Sequence, residues 1–371
     1  MMTLTKEKIF VTKSFMPPLN EYMQYVEKIF NNVQLTNGGP LVKELENKLI
    51  DYLKINNIQY VTNGTIALQL ALRALDIEEG EVITTPFTYV ATTSAILWEK
   101  LKPVYVDIEP DNFTIDPNKI EEKITSKTRA IMPVHVFGYA CNIEAIQKIA
   151  DKYGLKVIYD AAHAFGSKYK GKSLVSFGDI STLSFHATKL FHTVEGGACI
   201  IKDEIVKKEL DLLKRFGHNG DEHFCLGING KQSEIHAAMG LSILPYMDEI
   251  LEKRKRICVL YDELLENIVQ LPKKQEGLEH NFAYYPVVFK SEEELLRVFE
   301  ALKQEEIYPR RYFYPSLNKL SYIFDGESCP ISEDISKRIA CLPLHPTLNM
   351  ETVEKICKII FGSVNSVFHV Q

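Results

Sequence analysis

A chain of 371 residues, 46% hydrophobic and 25% charged, has room for about two domains and a large core, which excludes fibrous and disordered classes. Its formal charge of -6, with no long basic run interleaved with aromatics, argues against nucleic acid and anionic membrane as partners. Seven cysteines, at 141, 199, 225, 258, 329, 341 and 357, form no CxxC pair and suggest neither a disulfide framework nor a metal site; with no signal-like start and no run of about 18 apolar residues, the expected location is the cytoplasm.

The first 40 residues are interrupted by Pro17, Pro18, Gly38, Gly39 and Pro40 and read as an arm lying over the body, with one helix over 19–30. Leu41, Val42, Leu45, Leu49, Ile50 and Leu53 recur at helical spacing and predict a surface helix over 41–53. In YVTNGTIALQLALRAL an extended run, Tyr60 to Thr62, turns at Asn63-Gly64 into an apolar helix over 66–75. Such a turn leaves backbone N–H groups pointing outward and can cradle a phosphate, although Asn and Thr serve equally as ordinary caps.

Apolar runs at 82–85, 104–106, 130–136 and 157–159, several separated by helical stretches such as 143–153, predict a mainly parallel sheet covered on both faces. Sites in such sheets collect at the carboxyl ends of the strands. Two polar strand ends fall there. Asp160 closes the run LKVIYDAAHA, where a buried carboxylate needs a cation, a metal or hydrogen-bond donors; a helix N-cap is the other reading. Lys189, in SFHATKLFHTVEGG, follows the apolar positions Ile180, Leu183 and Phe185 of the next strand. A lysine at a buried strand end deprotonates more easily than a surface amine, so a Schiff-base lysine is one reading and a solvated loop lysine the other. A connection through Gly171, Gly178 and Asp179 would bring both strand ends to one cleft.

From Ile201 to Arg215 the pattern is helical and charged, and RFGHNGDEHFCLGINGKQ then forms a glycine-rich loop of a length that is often functional. A long helix carrying Ile235, Ala238, Met239, Leu241, Leu244 and Met247 is expected to be broken or bent near Pro245. Beyond about Leu251 a helix over 252–268, the extended run AYYPVVFK and helices over 292–303 and 350–360 predict a smaller α+β domain. The expected division is 1–250 and 251–371.

TNGTIAL, PFTYVAT, DAAHAFG, SFHATKLFHTVEGGA and GINGKQSEIHAA together resemble the DegT/StrS family of sugar aminotransferases, which use pyridoxal 5'-phosphate (PLP) and adopt the aspartate-aminotransferase fold, PLP fold type I. The resemblance runs from the arm to the final helix. It implies an α/β fold with a mainly parallel seven-stranded sheet in the large domain and a smaller α+β C-terminal domain. It also implies that Lys189 holds the cofactor as a Schiff base and, once freed, shuttles the proton between substrate and cofactor, while Asp160 pairs with the pyridine nitrogen. Gly64, Thr65 and Ser184 would bind the phosphate, and Tyr89 would stack on the ring unless it is a core tyrosine. His163 stands where many relatives have a glutamine touching the phenolic oxygen. Asn229 matches the asparagine that reaches the phosphate of the neighbouring subunit, implying a homodimer with shared active sites, although Gly230-Lys231 replaces the family's Tyr-Arg. His186 and His192 read as hydrogen-bonded packing residues and Glu195 as a cap of the Gly196-Gly197 turn.

The same resemblance implies amino transfer from L-glutamate, through the pyridoxamine form of the cofactor, to a nucleotide-linked keto-sugar. SFHATK is more similar to members that aminate carbon 4 than to the FYPGK form of several that aminate carbon 3. That favours conversion of dTDP-4-keto-6-deoxy-D-glucose to dTDP-4-amino-4,6-dideoxy-D-glucose for surface polysaccharide (O-antigen) or other glycoconjugate synthesis. Other keto-sugars and carbons stay open. So do a non-catalytic homologue and a sugar dehydratase of the same fold, although such lyases carry histidine where this chain has Lys189. Arg215, His218, Arg310 and Arg311 are candidate phosphate partners, with surface salt bridges as the alternative for the arginines.

Overall fold

The computed structural model describes residues 7–323 and 326–365. Seven strands form the central sheet in the order Ile58–Val61, Gly197–Ile201, Ile180–Ser184, Lys156–Asp160, Thr128–Ile131, Glu81–Thr84, Lys102–Tyr105. All run parallel except Gly197–Ile201, which is antiparallel to both neighbours. The mainly parallel α/β sheet is the one expected from the alternating elements, and its seven strands are those the family resemblance implies. Side chains alternate across it. Val157 and Tyr159 pack on the side of the helices Pro40–Leu53, Ile143–Tyr153 and Glu234–Ile243, whereas Ile158 packs on the side of Gly64–Ala74, Ala91–Trp98 and Glu204–Leu213. Burial on both faces explains why the strands read as continuous apolar runs.

Two boundaries differ from the sequence reading. The helix after Asn63 starts at Gly64 rather than at 66, because the Asn63 side chain accepts the Ile66 N–H at 2.9 Å and caps it. The run at 130–136 is a strand only as far as Ile131; beyond it the chain turns through Val136–Gly138, where Phe137 takes φ 56° and Gly138 φ 93°. The long helix is broken at Pro245, as the sequence allowed: it forms two helices, Glu234–Ile243 and Met247–Leu265, parted by a single tight turn.

The last third of the chain builds a second apolar cluster. The strand Tyr285–Val288 pairs antiparallel with Ile339–Leu342, and Tyr261, Val298 and Ile356 pack together from three helices. The arm ties into this part: Ile9–Phe10 pairs in parallel with Ile307–Tyr308, and Leu344 donates its N–H to the Val11 carbonyl. It then crosses the loop that carries Lys189, where the Ser14 hydroxyl donates to the Ala187 carbonyl at 2.6 Å and His192 Nε2 meets the Phe15 carbonyl at 2.8 Å.

Two buried carboxylates cap helices that are distant in sequence. Glu234 accepts the N–H groups of Leu41 and Val42 at 2.8 and 2.9 Å, at the start of Pro40–Leu53. Asp107 accepts those of Ile331 and Ser332, both at 2.9 Å, at the start of Pro330–Arg338. Each carboxylate meets unpaired donors and the positive end of a helix dipole. A Cβ on Gly39 would fall 2.6 Å from the Glu234 carboxyl carbon, so the absence of a side chain there lets the carboxylate in.

Candidate active site

The strand Lys156–Asp160 lies beside Ile180–Ser184, with Asp160 opposite Thr182, and this pairing brings Asp160 and Lys189 to one cleft of about 460 Å³. Asp160 shares the strand face of Ile158, the side covered by Ala91–Trp98. From that helix the Thr92 hydroxyl donates to Asp160 Oδ2 at 2.7 Å, while the Ala162 N–H donates to Oδ1 at 3.1 Å. Burial pushes the carboxyl up; the Thr92 and Ala162 donors and the Lys189 charge hold it down. No helix follows Asp160, so its bond to Ala162 closes a turn instead of capping a helix.

Lys189 is half-buried, and its Nζ has no hydrogen-bond partner among the described residues. Burial lowers the amine to about 8, opposed by the nearby Asp160 charge. The start of the helix Gly64–Ala74 lines the same cleft, and among the described residues no acceptor meets the N–H of Gly64 or Thr65. Ser184 closes this cradle: a Cβ on Gly64 would come 2.9 Å from the Ser184 Cβ. Only a glycine admits that approach.

Tyr89, 56% exposed, stands over the opening with its ring 6.4 Å from that of Phe313; it is not a core residue. His163 is buried, and its Nδ1 accepts the Phe137 N–H at 3.1 Å. An acceptor nitrogen carries no proton, so the remaining proton of the neutral ring sits on Nε2. Burial, reinforced by Lys189, keeps this imidazole neutral by pushing it well below the usual histidine range. The turn with Phe137 at positive φ, which follows the shortened strand, supplies that N–H.

The opposite wall comes from the last third of the chain: Tyr284, Arg310, Tyr312 and Phe313. Lys189 Nζ lies 6.0 Å from the Tyr284 ring centre, and that ring is 4.6 Å from His163. Arg254, buried, donates to the carbonyls of Phe282 and Ala283 and so fixes the segment carrying Tyr284. Burial lowers Arg254 only to about 10, which leaves it charged near neutrality. Asn229 does not line this cleft: it is exposed, and its Oδ1 accepts from Lys231 Nζ at 2.8 Å. His192 packs on the arm as read from the sequence, but Glu195 and His186 face the cleft, with Glu195 Oε1 3.7 Å from His186 Nε2. Thr92, Tyr284, Tyr312 and Phe313 were not singled out by sequence. Thr92 alone had a signal, one helical turn after Tyr89 within PFTYVAT.

The groups present suit a flat aromatic phosphate ester with a carbonyl: unpaired N–H groups and a hydroxyl for the phosphate, a buried acid for a ring nitrogen, and a readily deprotonated amine. Fold and cleft together define a PLP-dependent enzyme of fold type I. The sequence profile of the DegT/DnrJ/EryC1/StrS aminotransferase family matches residues 19–361, and the chain belongs to that family: it is a PLP-dependent aminotransferase. Over 365 residues it is 43% identical to the dTDP-4-amino-4,6-dideoxy-D-glucose transaminase of Shigella dysenteriae, covering 96% of this chain and 99% of the relative. It superposes with a TM-score of 0.92 on DesI crystallised with its TDP-sugar product, at 28% identity and coverage of 98% and 94%. The PMP form of Spr1654 from Streptococcus pneumoniae gives 0.89 at 28% identity, covering 96% and 98%.

Proposed function

We propose that this aminotransferase moves the amino group of L-glutamate to dTDP-4-keto-6-deoxy-D-glucose, making dTDP-4-amino-4,6-dideoxy-D-glucose in the cytoplasm for O-antigen or another surface glycoconjugate. The observation that carries the substrate is the 43% identity, over nearly the full length of both chains, to a relative named for that product. The working unit is a homodimer. Each chain has two domains, 1–250 with the arm and the cofactor, and 251–371 with the wall of Tyr284 and Arg310.

When bound, PLP would supply a carbonyl that takes up amines and an electron-withdrawing ring. Lys189 would hold the cofactor covalently and, as a free amine, would carry the proton to and from the substrate carbon; an amine near 8 suits both tasks at neutral pH. Asp160, whose carboxylate accepts from the Thr92 hydroxyl and the Ala162 N–H, would hold the proton of the ring nitrogen. Gly64, Thr65 and Ser184 would bind the phosphate, Tyr89 would lie against the ring, and the His163 Nε2–H would donate to the phenolic oxygen. Asn229 of the partner subunit would complete the phosphate site.

The test is product formation by purified protein with glutamate and dTDP-4-keto-6-deoxy-D-glucose, read by NMR of the sugar. An amine at carbon 4 is the expected result. No turnover of the 4-keto sugar, with turnover of a 3-keto isomer, would sink the substrate assignment.

A further inference from the structure

Both proposed substrates are anions, yet the chain carries a formal charge of -6, so attraction must be local. The cofactor phosphate would be met by backbone N–H groups and a hydroxyl. Among the described lining residues, the only charged cations are therefore Lys189, reserved for covalent work, and Arg310.

Arg310 differs from the other basic candidates. Arg215 pairs with Asp211, Arg311 pairs with Glu292 at 2.8 Å, and His218 sits on the 218–223 hairpin outside the cleft. Among the described residues no carboxylate lies within ion-pair distance of Arg310, and its guanidinium rests 5.1 Å from the Tyr312 ring centre. Its backbone is held at both ends, since Arg310 N–H donates to the Cys341 carbonyl at 3.2 Å and Cys341 N–H donates to the Arg310 carbonyl at 2.8 Å. An exposed guanidinium, anchored in backbone, steadied on a ring and facing a cleft without a counter-ion, is a fork for two oxygens of an oxyanion.

We infer that Arg310 is the oxyanion subsite for the substrates, binding the carboxylate of the amino donor or the diphosphate of the sugar nucleotide. The inference rests on the proposed function for which anions enter the cleft, and two inert probes separate the sources. Glutarate stands for the donor carboxylate and dTDP for the diphosphate, each titrated by calorimetry into PLP-loaded wild type, Arg310→Gln and Arg310→Lys.

Arg310→Gln is expected to weaken glutarate or dTDP by about tenfold, the loss of one charge-assisted fork, with Arg310→Lys in between and the visible cofactor band unchanged. Weakening of glutarate assigns the carboxylate, weakening of dTDP the diphosphate, and weakening of both a position used by each in turn. If Arg310→Gln fails to fold, Arg310→Lys decides: it must weaken a probe by at least about threefold, since an ammonium cannot reproduce the bidentate fork. Wild-type affinity for both probes in the folded variants, or no binding of either probe by wild type, overturns the inference. Absence of 4-keto-sugar turnover with the probe pattern intact would instead remove the proposed substrate and leave the subsite standing.

Discussion

Burial draws the Lys189 amine down from 10.5 to about 8, and Asp160 draws it partly back. The sign of the consequence follows. In the unfolded chain the amine holds its proton to a higher pH, so folding of the cofactor-free protein is favoured as pH rises from about 8 toward 10.5, and the nucleophilic form appears across that lower midpoint. Covalent loading of the cofactor-free protein with PLP, trapped by borohydride and located by mass spectrometry, should rise with pH to half its maximum near 8. A midpoint near 10.5 would show an amine that solvent reaches freely. His163 should add no step to this profile between pH 6 and 9, because burial and its bond from Phe137 hold it neutral throughout.

At the level of helices, the long-range caps are the testable feature. Glu234→Ala removes both acceptors from Leu41 and Val42 and should cost about 2 kcal/mol, while Glu234→Gln keeps one acceptor and should cost about half of that, measured by urea unfolding. Gly39→Ala should resemble the first, since its methyl displaces the same carboxylate. Neither cap could be read from the sequence, and the reason is physical. Asp160 and Lys189 announce themselves because a polar residue at the end of an apolar strand is locally anomalous, and Asn63 because capping acts within three residues. Glu234 looks like any glutamate opening a helix; its meaning depends on a fold that returns it to residue 41. Thr92 and Tyr284 are likewise ordinary until Asp160 and Lys189 are placed beside them. The turn after the strand at 128–131 belongs here too, because the N–H it presents at Phe137 is met by His163, which is distant in sequence.

On the scale of the whole molecule, the loop over 215–232 sets Asn229 outside its own cleft and exposes Phe216, Phe224, Leu226 and Ile228, with Leu226 87% exposed. A contiguous stretch of this kind suits burial against a second copy. If Asn229 serves the partner's phosphate site, a Lys189→Ala chain and an Asn229→Ala chain, each nearly inactive, should regain about a quarter of wild-type activity when unfolded and refolded together, because half the dimers then hold one intact site. No recovery would place Asn229 outside catalysis. The reach of Glu234 to residue 41 also has a consequence during synthesis. The segment 40–53 leaves the ribosome 192 to 193 residues before the side chain that completes its first turn, and the segment around Asp107 waits 224 to 225 residues for the helix it caps. Each of these contacts joins distant stretches of chain and raises contact order, so neither helix start can be capped until the intervening chain has been made.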